Sequence, residues 1–188
     1  MLKRKIYNRI EEYLKAPSDK MLLVDGARQI GKSFIIRHIG KQLYPNYIEI
    51  NMEEDKQGER IFANAKTTKD FYMALSAVAG DKMKDKATTL VFIDEIQAYD
   101  HLLTLVKFLM DEGKFTYIAS GSQLGITLKK TQSVPVGSLQ QISMYPLEFE
   151  EWLWANQIQQ PVIDLLKQYM NEESPVPDAI HQRMRQLL

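Results

Sequence analysis

At 188 residues the chain is the size of one domain, long enough to bury a substantial core. Its 24 basic residues balance 24 acidic ones, which gives no general affinity for polyanions, and the lack of cysteine excludes disulfides and thiolate metal sites. No apolar run approaches the ~18 residues that cross a bilayer, and the opening "MLKRKIYNRIEEYLK" has no signal-peptide core, so a soluble cytoplasmic protein is expected.

In "KRKIYNRIEEYLK" the residues Ile6, Tyr7, Ile10, Tyr13 and Leu14 recur at helical spacing, and "APSDK" ends the run. "KMLLVD" is a short apolar run suited to a strand covered on both faces. "KSFIIRHIGKQLY" then puts Phe34, Ile35, Ile39 and Leu43 on one helical stripe. "YIEINM" alternates like a strand, "TKDFYMALSAVAG" is helical with its stop at Gly80, and "TTLVFIDE" is a buried strand ending in acids. "HLLTLVKFLMDEG" is an apolar helix and "KFTYIASGS" a fourth strand. "SLQQISMY" offers a fifth strand, followed by helices in "LEFEEWLWANQ" and from about Val162 to Met170. "NEESPVPD" is a turn-rich break, after which "AIHQRMRQLL" begins another helix. Strands alternating with helices predict an α/β fold, a parallel sheet with helices on both faces.

Between the first strand and its helix stands "GARQIGKS", the G-x-x-x-x-G-K-S pattern of a phosphate-binding loop formed by Gly26, Ala27, Arg28, Gln29, Ile30, Gly31, Lys32 and Ser33. Gly26 and Gly31 let the backbone wrap closely with its N–H groups turned inward. Lys32 reaches the β and γ phosphates, Ser33 offers its hydroxyl to Mg²⁺, and the positive end of the helix faces the anion. Phe34 follows directly and completes the candidate nucleotide-binding set.

"LVFIDE" places Asp94 and Glu95 at the end of a hydrophobic strand, the edge where doubly wound sheets bind ligands. Asp94 is the candidate metal support and Glu95 the candidate base that polarises water toward the γ phosphate. Proteins that combine such a phosphate loop with an acid pair at this strand usually insert another strand between the loop strand and the acidic one, and by that likeness about five strands in the order 5-1-4-3-2 are expected. The inserted strand is "FTYIAS", so its exit "SGSQ" falls between Lys32 and Glu95. There Ser120 or Ser122 is placed to donate to phosphate or water, with a plain polar turn as the competing reading. Ser122 is the one carried forward as a catalytic candidate.

Taken in order, "GARQIGKS", "VFIDEIQ", "IASGSQ" and "YPLEFEEWL" resemble the prokaryotic AAA-type ATPases with a GARQ-type loop. The resemblance implies a P-loop three-layer sandwich, ATP with Mg²⁺ as ligand, and hydrolysis helped by a catalytic glutamate. It also implies a C-terminal domain of unknown function after the ATPase core. On that reading residues 1–172 form the ATPase domain, residues 173–188 lead toward a second domain, and the chain is a piece of a longer protein. Two positions depart from the family pattern. Ser138 stands where an arginine is usual, and serine cannot neutralise charge on a transferring phosphoryl group. Glu148 stands where a serine would cap the helix, a change expected to cost little.

The remaining features are weaker. Arg28 is either a phosphate or neighbouring-subunit contact or a solvated loop side chain, and Gln97 is a lesser candidate for orienting water. Trp152 and Trp154 with Phe149 and Leu153 suggest a packing face. His38, His101 and His181 lack zinc-ligand spacing, and the lysines of "KTTKD", "DKMKDK" and "LKKT" are expected to be solvated surface. For the adenine, Arg4 and Tyr7 are the only suggestion. The expected function is Mg²⁺-dependent ATP hydrolysis. The alternative is a nucleotide-gated module that recruits a protein or DNA partner with little turnover.

Overall fold

β1 (Met21–Asp25) shows why the sheet must be covered twice: Met21 and Leu23 point to one face, Leu22 and Val24 to the other, and all four are buried. A computed structural model describes residues 2–122 and 136–186. Within it β1 pairs in parallel with β4 (Thr116–Gly121) and with β5 (Leu139–Ser143). β4 pairs in turn with β3 (Thr89–Asp94), and β3 with β2 (Asn46–Asn51). The strand order is therefore 2-3-4-1-5, the expected 5-1-4-3-2 read from the other edge.

Two helices cover the face of Leu22, Val24, Leu90, Phe92 and Ile118: α1 (Ile6–Lys15) and α2 (Lys32–Leu43). The helical spacing noted in α1 buries Ile6, Ile10, Tyr13 and Leu14 as expected. In α2 the buried stripe is Ile35, Ile36, Ile39 and Gly40, which corrects the expected one. Phe34 is 56% exposed and Ile36 fully buried, because the helix turns its 35/36/39/40 edge toward the sheet. Each isoleucine so buried contributes about 1.5–3 kcal/mol. Gly40 marks the closest approach, since a Cβ there would sit 2.8 Å from the Tyr47 ring and 2.9 Å from Leu90.

The opposite face, lined by Leu23, Ile48, Ile50, Val91, Ile93 and Tyr117, is covered by α3 (Met52–Gln57), α4 (Thr68–Ala79) and α5 (Asp100–Glu112). α3 has no counterpart in the expected elements. It starts because Asn51 accepts from the Glu53 and Glu54 amides, with acids in its first turn. α4 is closed at its N-terminus by a capping box between Thr67 and Asp70.

These elements form one unit, residues 6–146. A second unit combines residues 1–5 with residues 147–188. It contains α6 (Phe149–Ala155), α7 (Gln160–Asn171) and α8 (Asp178–Arg185). At the start of α6 the buried Glu151 accepts from the Arg4 guanidinium at 3.0 Å, the Lys5 amide at 2.7 Å and the Glu148 amide at 3.0 Å. The N-cap amide is thus satisfied by the third helical residue. The expected packing face of α6 is carried by Leu153, with Phe149 and Trp152 stacked 5.8 Å apart on a more open side. Among the described residues no helix is long and apolar enough to cross a membrane.

Candidate active site

The carboxyl ends of β1, β3, β4 and β5 lie along one edge of the parallel sheet, which gathers the expected functional residues. After Asp25 the chain turns through residues 26–31 into α2. The exit of β5 closes against this turn, with the Met144 amide donating to the Asp25 carbonyl at 2.7 Å. A Cβ on Gly26 would lie 2.3 Å from the Met144 carbonyl oxygen, so only glycine fits there. Gln29 at φ 63° and Gly31 at φ 96° supply two left-handed residues that curl the loop.

The start of α2 differs from that of α4. It has Gly31 as its N-cap, no side-chain cap and no acid in its first turn. Its leading N–H groups and the positive end of its dipole are therefore left for an anion, the requirement of a phosphate site. Lys32 is only 4% exposed, and its ammonium donates to the carbonyls of Gly26 at 3.0 Å and Ala27 at 2.7 Å. Ser33 lies in the first turn of the helix, and Ile30 packs partly against the α1/α2 core. The exposed Phe34 ring stacks on His38, and the Tyr7 ring lies tilted to the same imidazole with centroids 6.4 Å apart. Further along α2, Arg37 forms a two-pronged bond with Glu49 of β2. Burial pushes the Glu49 carboxyl up, but the bonds from Arg37 and Tyr47 outweigh it and hold it below its ordinary range.

Across the edge, every residue of β3 is buried. Asp94 accepts from the Ser120 hydroxyl and from the Glu95 amide at 3.1 Å. Glu95 takes a left-handed conformation at φ 50°, and the following 3₁₀ turn, Ile96–Ala98, is tied back to its carbonyl by the Ala98 amide. The Glu95 Oε2 atom accepts from the Ser122 hydroxyl at 3.1 Å and from the Gln97 amide group. That amide also lies 3.2 Å from Ser122 Oγ, and Arg28 of the loop donates to the same oxygen at 3.4 Å.

Arg28, Ser122, Glu95 and Gln97 are thus joined in one hydrogen-bonded group, whereas the Lys32 ammonium bonds to its own loop. The two serines separate: Ser120 belongs to Asp94 and Ser122 to Glu95. The pairing of Ser120 with Asp94 was not legible in the sequence. The signal that would have found it is the parallel register, which runs β4 beside β3 up to this edge. Elsewhere, Arg4 bonds to Glu151 and His101 lies 3.2 Å from the Phe62 carbonyl. No group of acids and histidines among the described residues could hold a metal by itself. Gln123 and the lysines of "LKKT" lie outside the described residues.

This loop, on this sheet edge, in this strand order, defines a P-loop α/β domain of the ATPase type. The AAA domain family model matches residues 18–153, and the chain belongs to that family. The fold is similar to that of the Walker-type ATPase PABY2304 of Pyrococcus abyssi, at TM-score 0.54 and 18% identity, covering 98% of this chain and 63% of that one. It is similar as well to the S. cerevisiae Hsp104–ADP complex, at TM-score 0.55 and 16% identity, over 86% of this chain and 24% of that one. A third likeness is a closed-state reconstruction of Hsp104 with ATPγS and casein, at TM-score 0.54 and 16% identity, over 85% of this chain and 29% of that one. The chain therefore spans less than two thirds of the length of these solved structures. No curated protein matches it significantly.

Proposed function

We propose that this domain binds ATP with Mg²⁺ and hydrolyses it. The loop amides, the uncapped start of α2 and Lys32 hold the β and γ phosphates, with Lys32 exchanging the Gly26 and Ala27 carbonyls for phosphate oxygens. The Ser33 hydroxyl and the Asp94 carboxylate are hard oxygen donors of the kind Mg²⁺ takes, so the donor set fits the ion. When bound, the ion neutralises phosphate charge. Glu95 takes hold of the attacking water and accepts its proton, and Ser122 orients the Glu95 carboxylate.

The observation that carries this reading is the company Glu95 keeps. The Ser122 hydroxyl and the Gln97 amide hold its carboxylate, and no lysine or arginine among the described residues is ion-paired to it. A carboxylate held in place by hydrogen bonds beside a phosphate loop is oriented to meet an attacking water. The test is phosphate release from ATP with and without Mg²⁺. Turnover is expected to require Mg²⁺ and to vanish in Lys32→Ala along with nucleotide binding.

A second reading, a nucleotide-gated module that recruits a protein or DNA partner with little turnover, is favoured by Ser138. It lies in the Val136–Ser138 turn before β5, where the family resemblance expects an arginine. Tight ATP binding without phosphate release, with turnover gained in Ser138→Arg, would select this reading.

A further inference from the structure

The geometry points to Gln97 as a positioning residue for Glu95, one that pins a single carboxylate oxygen so that the other is left to take the water. This inference rests on Glu95 acting as the base. The Gln97 side-chain nitrogen bridges two atoms at once, Glu95 Oε2 and Ser122 Oγ, while Ser122 itself donates to Glu95 Oε2. Three side chains thus close a triangle on one oxygen. Among the described residues no donor reaches Glu95 Oε1. A carboxylate with two donors on one oxygen and none on the other has its rotation fixed and one acceptor in reserve, the condition under which a general base delivers a fixed lone pair.

Two further features show that the arrangement is built. Glu95 sits at φ 50°, uncommon for a non-glycine residue, and it caps the 3₁₀ turn that carries Gln97, so backbone geometry brings the two side chains together. The Gln97 carbonyl oxygen, meanwhile, is buried with no hydrogen-bond partner among the described residues. Leaving it unsatisfied costs free energy, and a methionine of nearly the same volume would avoid that cost, so a glutamine kept only for packing would be the poorer residue here. Its nitrogen is the part in use.

The experiment compares Gln97→Met with the wild type for steady-state ATP turnover, nucleotide affinity and melting temperature, in both the Glu95 and the Glu95→Gln backgrounds. In the Glu95 background kcat is expected to fall at least about tenfold, the effect of losing a partner that orients a reacting group. Nucleotide Kd should stay within about twofold and the fold should be as stable or more so. In the Glu95→Gln background the same substitution should change kcat no further, because both residues act through one group. A kcat within twofold of wild type, or the same fractional loss in both backgrounds, overturns the role of Gln97. Failure of the Glu95 reading shows separately, as a Glu95→Gln protein that turns over at the wild-type rate.

Discussion

Ser120 on β4 donates its hydroxyl hydrogen to Asp94 on β3, and the two residues are 0% and 5% exposed. A carboxylate buried this deeply depends on its hydrogen-bond donors, and among the described residues the other donor to it is the Glu95 amide, on the same oxygen. Ser120→Ala leaves Asp94 short of a donor and is expected to destabilise the domain by about 1–3 kcal/mol. Urea unfolding of the two proteins measures it, as a lowered midpoint at unchanged slope.

The two glycines of the phosphate loop are required for different reasons, and the difference is measurable. An alanine at position 26 drives its Cβ to 2.3 Å from the Met144 carbonyl, so β5 or the loop must move. Among the described residues an alanine at position 31 meets nothing nearer than the Met144 methyl at 3.8 Å and pays only in backbone strain at φ 96°. Gly31→Ala is expected to cost about 1–3 kcal/mol. Gly26→Ala should cost more and abolish nucleotide binding, since the clash is with backbone. Thermal melts with a fluorescent nucleotide titration rank them.

In the second unit Glu150 joins two cations. Lys167 first and Lys5 second hold its carboxyl down at about 2, against an ordinary value of 4.5. Because the folded value is the lower one, the stabilisation is complete above about pH 4.5 and is lost as pH falls toward about 2. Lys167→Ala should therefore raise the Glu150 midpoint and remove that part of the acid sensitivity. A carboxyl NMR titration of Glu150 in both proteins reads the shift directly.

Much of this was written locally in the chain. Apolar runs that must be covered on both faces named the strands, and "GARQIGKS" with "FIDE" implied the inserted strand and hence the sheet order. The misread stripe in α2 is instructive. Phe34, Ile35 and Ile36 are consecutive apolar residues, and periodicity alone does not say which two face the sheet. The pattern of "YIEINM" carries the strand on through Met52, although "NMEED" has the cap and first-turn acids of a helix that starts there. The pairing of Ser120 with Asp94, the triangle around Glu95 and the capture of Glu151 by Arg4 join residues far apart in the sequence or set at one angle of a turn. Such contacts depend on register and left-handed backbone, which a one-dimensional pattern does not encode.

If this sheet edge hydrolyses ATP, the step depends on Glu95 as the base. The direct measurement is single-turnover phosphate release by wild type and Glu95→Gln at saturating ATP and Mg²⁺, with binding followed in parallel. A fall in the hydrolysis rate of at least about a hundredfold at unchanged nucleotide affinity is predicted. Equal rates for the two proteins would rule out Glu95 as the base.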